Sequence, residues 1–233
     1  MIRNLAVELN KLKKRILQLG SEVEANLTKA ERALIQFDQH MASEIIHTDV
    51  DIDTLEISVE ERCLRILAQH TPVAGDLRLV VAVLKINIEL ERIGDLTAKI
   101  ADRILLLARR NCIPFTSSQT TQFPEQFHNM FAKTITMVKM SLDAFVEMDA
   151  DMAYKILIWD DQVDEAKRTI RTRIEDIVQE DVSQQQYLSM LLSVSRSLER
   201  IADHATHIAE DVIYMLQGQI VRHTPESHDR DQG

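Results

Sequence analysis

Apolar residues return at alternating steps of three and four along almost the whole chain, the rhythm of long amphipathic helices. Leu5, Leu9, Leu12, Ile16, Leu19, Val23, Leu27, Ala30, Leu34 and Phe37 predict a helix from about Ile2 to Asp38 that passes through Gly20. Ile45, Ile52, Leu55, Val59, Cys63 and Ile66 predict a second from about Met41 to Gln69. Thr71-Pro72-Val73-Ala74-Gly75-Asp76 breaks the pattern, and Asp76 is expected to cap a third helix ending near Arg110. Residues 111–124 carry no charge and are rich in Ser, Thr and Pro, so they read as a linker. Helical patterns resume over 125–147, 151–180 and 183–217, with Ser183 as a cap, and the polar tail over 218–233 is expected to be disordered. The predicted class is all-α: six long helices forming two pseudo-symmetric three-helix bundles, 1–110 and 125–217.

The third and sixth helices carry the same text. Leu90, Glu91, Arg92, Ile93, Asp95, Ile100 and Ala101 recur as Leu198, Glu199, Arg200, Ile201, Asp203, Ile208 and Ala209, at a constant offset of 108. Both copies share an apolar seam: Val83, Ile86, Leu90, Ile93, Thr97, Ile100, Ile104 and Leu107 answer Leu191, Val194, Leu198, Ile201, Ala205, Ile208, Val212 and Met215. That is a heptad-like stripe for packing against neighbouring helices. A second repeat lies one helix earlier, where Asp49-Val-Asp-Ile-Asp53 answers Asp160-Asp-Gln-Val-Asp164, offset by 111.

The acids avoid the seam. Glu199, Asp203 and Glu210 cluster roughly 100–140° round the helix from Leu198, and Glu91, Asp95 and Asp102 repeat that line. Carboxylates four apart repel by a few tenths of a kcal/mol per pair. A chain that accepts this penalty twice, in register, is arranged to attract a cation. Each half has two such pairs, Asp49/Asp53 with Glu91/Asp95 and Asp160/Asp164 with Glu199/Asp203, able to face each other across adjacent antiparallel helices. His207, four after Asp203, joins the second set with Glu210. The donor set suits iron, manganese, zinc or magnesium. Lys99 stands where the second half has His207 and competes with a cation; Arg92 and Arg200 are expected to pair with carboxylates. The plainer reading of each line is a solvated acidic face, and His204 reads as exposed.

Charge narrows the partners. A net charge of −10 over 233 residues excludes a phosphate backbone as ligand and opposes capture of free phosphate on bare side chains. It suits metal cations or a basic protein surface. Cys63 and Cys112 form no disulfide framework or zinc pattern, the start lacks a signal-peptide pattern, and no apolar stretch is long enough to span a membrane; the expected place is the cytoplasm. No Gly-x-Ser-x-Gly motif or glycine-rich phosphate loop is present, so no catalytic constellation is expected. Glu44…His47 and Glu125…His128 are Glu-x-x-His pairs of the di-iron bundle type, but both lie near expected helix starts.

Leu90-Glu-Arg-Ile-Gly-Asp95, Ser197-Leu-Glu-Arg-Ile-Ala-Asp-His204, Thr206-His-Ile-Ala-Glu210 and Pro72-Val-Ala-Gly-Asp-Leu-Arg78 together resemble the PhoU family over nearly the whole chain. The resemblance implies two three-helix bundles and a repeated Glu/Asp-x-x-x-Asp motif that binds metal, mapping here onto Glu91/Asp95 and Glu199/Asp203, with Asp49/Asp53 and Asp160/Asp164 facing them. It also implies a non-enzymatic negative regulator of phosphate uptake and of the phosphate-starvation response. The implied partners are a sensor histidine kinase and the phosphate transporter's ATPase subunit. The expected assembly is a homodimer that reaches the membrane only through partners. The rival readings are a di-iron oxidoreductase and a metal-free helical scaffold.

Overall fold

The computed structural model describes residues 2–110, 123–180 and 185–221. Six helices occupy them: α1 (Ile2–Gln36), α2 (Gln39–His70), α3 (Ala74–Arg109), α4 (Phe123–Glu147), α5 (Ala150–Glu180) and α6 (Gln185–Gln217). Most of the expected linker, the Ser183 cap and the tail beyond Val221 lie outside the described residues. α1, α2 and α3 pack as one three-helix bundle, and α4, α5 and α6 as another. The bundles meet where α3 lies on α6 and α1 on α4, so one connected apolar core runs through both. Every residue of the two repeated seams is buried. Gly20 lets α1 approach α4 closely: a Cβ at that position would meet the Leu142 side chain of α4 at 2.7 Å.

The turns repeat as well. α1 ends at Phe37 with φ of 55°, and α4 at Met148 with φ of 58°. In both, the next residue's amide donates to a carbonyl five positions back, Asp38 to Ala33 at 2.9 Å and Asp149 to Ala144 at 3.0 Å. The same two aspartates then start the following helix. Asp38 Oδ1 accepts from the Met41 amide at 3.0 Å and Asp149 Oδ1 from the Met152 amide at 2.9 Å. Asp38 therefore caps α2 and does not belong to α1. Asp76 does not cap α3. Val73 occupies that position with no side-chain hydrogen bond, and Asp76 sits in the first turn, where its charge favours the positive end of the helix dipole. Among the described residues, no helix is long and apolar enough to cross a membrane.

Candidate functional site

The acidic pairs of neighbouring helices lie close enough to raise one another's carboxyls. Asp49 and Asp53 on α2 share a face with Glu91 and Asp95 on α3. Burial, and then the charges of Asp53, Asp95 and Glu91, push the Asp49 carboxyl up to about 6. Glu91 is raised by burial and by Asp95. Gly94 permits the approach: a Cβ there would lie 3.2 Å from Asp49 Oδ1, and the second copy has Ala202 in its place. In the other bundle Asp160 and Asp164 on α5 face Glu199 and Asp203 on α6. Burial, with Asp203, Asp164, Asp161 and Glu199 behind it, pushes Asp160 up to about 6, and Asp203 is raised by burial and by Glu199. Asp102 is exposed and is not among the charges that weigh most on Asp49 or Glu91; Glu210 is half-buried one turn beyond Thr206.

Both faces hold a lysine, supplied from different helices. In the first, Lys99 of α3 lies 3.5 Å from Asp95, and Arg92 lies 3.5 Å from Glu91 and 3.9 Å from Asp95. In the second, Lys167 of α5 pairs with Glu199 at 2.7 Å. Position 207 carries His where the first half has Lys99, and the position matching Lys167 by the offset of 111 carries Glu56. Glu56 joins the first face, raised by burial and then by Glu60, Glu91 and Asp53, while its side chain accepts from Asn87 at 2.9 Å. Neither Lys167 nor Glu56 was expected, because both acquire their role only from the register of one helix on the next. Arg200 is exposed and pairs with no carboxylate among the described residues. In both faces protein cations already hold acids, Lys99 and Arg92 on Asp95 and Glu91 in the first and Lys167 on Glu199 in the second, and each must give way before that carboxylate could coordinate an ion.

His207 does more than extend the acidic line. Its Nδ1 lies 3.3 Å from Glu89 Oε2 on α3, and His204 Nδ1 lies 2.6 Å from the same oxygen. His204 and Glu89 side chains are each only 16% exposed, so His204 is not the solvent-facing residue its sequence position suggests. Burial alone would raise the Glu89 carboxyl, but hydrogen bonds from His204 and His207 outweigh it and hold the group down at about 2. Glu89 lies two residues before Glu91, roughly 200° round the helix, which is why it faces α6 while Glu91 faces α2. The Glu-x-x-His pairs form no buried centre. Glu44, His47, Glu125 and His128 are all exposed, with His47 bonded to the Ser43 carbonyl and His128 to Glu31.

Comparison with known proteins follows the duplication. A family profile described as the PhoU domain matches residues 16–104 and again 127–212. A phosphate-specific transport system accessory protein PhoU homolog of Pseudomonas putida is 36% identical over 219 residues, covering 93% of this chain and 82% of the relative. The protein called phosphate-specific transport system accessory protein PhoU in Escherichia coli is 33% identical over 216 residues, with 93% and 86% covered. The crystal structure of PhoU from Pseudomonas aeruginosa superposes with a TM-score of 0.84 at 33% identity, covering 92% of this chain and 99% of that one. The phosphate transport system regulatory protein PhoU from Streptococcus pneumoniae superposes at 0.80 with 30% identity, covering 93% and 99%.

Proposed function

The chain belongs to the PhoU family, and from that membership we propose that it is a non-enzymatic regulator attached to a phosphate-specific transport system. In this reading it restrains phosphate uptake and the phosphate-starvation response by contacting a sensor histidine kinase and the transporter's ATPase subunit. It works from the cytoplasm, as a homodimer, and divalent or ferric ions order its acidic faces. The observation that carries the reading is the family match to both halves, each with its acidic Asp-x-x-x-Asp and Glu-x-x-x-Asp pairs in register. Carboxylates held up to about 6 by burial and by one another are groups that a cation relieves. Lys99 and Lys167, already among these acids, favour a second reading in which the faces dock a basic partner surface without metal.

The test is co-purification of detergent-solubilised kinase and transporter ATPase on the immobilised chain at high and low phosphate, with and without chelator. Retention at high phosphate, lost on chelation, is the expected result. Retention that ignores the chelator selects the metal-free reading. No retention of either partner at any phosphate concentration removes the regulatory proposal.

A further inference from the structure

The two halves are joined along α3 and α6 by polar contacts that lie to one side of the shared seam. Arg78 Nε donates to the Met215 carbonyl at 3.2 Å, Lys85 pairs with the buried Asp211 at 3.1 Å, and Glu89 takes both histidines. The offset of 108 replaces Glu89, His204 and His207 by Ser197, Leu96 and Lys99, so the duplication does not require this cluster. Among the described residues it occurs once, and it draws on both halves.

We propose that Glu89, His204 and His207 form a zinc site that ties the two bundles together, bordering the second acidic face through Asp203 but using none of its carboxylates. The three residues offer two imidazole nitrogens and one carboxylate oxygen, all within 4.8 Å of one another. Zinc held at about 2.0–2.2 Å by tetrahedral ligands sets those ligands about 3.3 Å apart. His207 Nδ1 already stands 3.3 Å from Glu89 Oε2, and His204 Nδ1, at 2.6 Å, has to open by about 0.7 Å to reach that separation. The imidazole planes cross at 80° with centroids 5.9 Å apart, so the rings do not stack in the way of an ion between them. To bind through Nδ1 each imidazole must carry its proton on Nε2: a neutral ring does so by moving its proton from Nδ1 to Nε2, and an imidazolium by losing one proton to solvent. Two nitrogens with one carboxylate favour zinc over magnesium, which prefers oxygen. His207 is 45% exposed, so water reaches the site from that side.

The test is calorimetric titration of Zn2+ into the metal-stripped full chain in excess Mg2+, which occupies oxygen-only sites, with thermal unfolding measured alongside. The parent is expected to bind one Zn2+ per chain and to unfold at a higher temperature with it. His207→Ala and Glu89→Gln should each weaken binding by more than about a hundredfold, beyond the loss typical of altering a residue that only supports a ligand. Asp49→Asn/Asp160→Asn should leave it intact. Should Glu89→Gln fail to fold, the more exposed His207→Ala decides. Absence of Zn2+ binding in Mg2+, binding unchanged in His207→Ala, or binding lost in the double aspartate variant each overturns the proposal, the last by placing zinc on the acidic faces.

Discussion

Replacing Asp160 by Asn should stabilise the metal-free protein at neutral pH. Its carboxyl stands up at about 6 because burial and the charges of Asp203, Asp164, Asp161 and Glu199 all oppose ionisation. Moving a carboxyl that far from its ordinary range corresponds to about 3 kcal/mol against the charged form. Solvent reaches this half-buried group and screens its neighbours, so about 1 kcal/mol is the realistic share. The sign follows from where protons are lost. The unfolded chain releases its proton near pH 4 and the folded chain near 6, so this group's contribution to stability is intact below pH 4. It is lost as pH rises through 6. Asn cannot ionise and escapes that loss. Thermal unfolding in chelator should therefore place Asp160→Asn about 2–4 °C above the parent at pH 7.5, with the gap closing toward pH 4. With saturating Mn2+ the order should reverse, because only the parent keeps the full set of ligands. An Asn variant less stable than the parent at pH 7.5 in chelator, or a gap that ignores pH, would refute the electrostatic reasoning. A gap that ignores Mn2+ would refute the metal reading of this face.

Other consequences are as direct. Met148 is exposed and left-handed, so Met148→Gly should raise stability by about 1 kcal/mol in a denaturant titration; Phe37→Gly, whose ring packs on the core, should lower it. Asp149→Ala, losing the bond from the Met152 amide, should cost about 1 kcal/mol by the same measurement. Cys63 is fully buried, and burial pushes its thiol up to about 12, so thiol reagents should label it only as fast as the protein opens; rapid labelling of Cys63 itself in a native Cys112→Ser variant would contradict the packing of α2.

The helix repeat was legible because its periodicity is local. Residues three and four apart on one helix must share a face, so the seams of α3 and α6, the pairing of each Asp and Glu with its i+4 partner, and the all-α class follow from spacing. The meeting of α2 with α3, and of α5 with α6, was legible only because the text is written twice. What a helix presents to a distant helix is not written in its own period. Lys167, Glu56 and Glu89 lie off the motif, and their partners come from other helices. His204 looked solvent-facing for the same reason. The turns escaped because a left-handed Phe37 or Met148 carries no glycine signal, and Asp38 therefore read as the end of one helix rather than the start of the next.

The one-sided polar edge between α3 and α6 has a consequence for symmetry. Two identical half-length chains associating about a twofold axis would have to build every contact at their interface in pairs. Glu89 with its histidines, or Lys85 with Asp211, would then occur twice or not at all. Covalent fusion of the halves removes that obligation: Ser197, Leu96 and Lys99 are free to differ from Glu89, His204 and His207. The folded chain thus has a distinguishable front and back where a true dimer would have two equal sides, and a visiting protein can grip it in a single orientation.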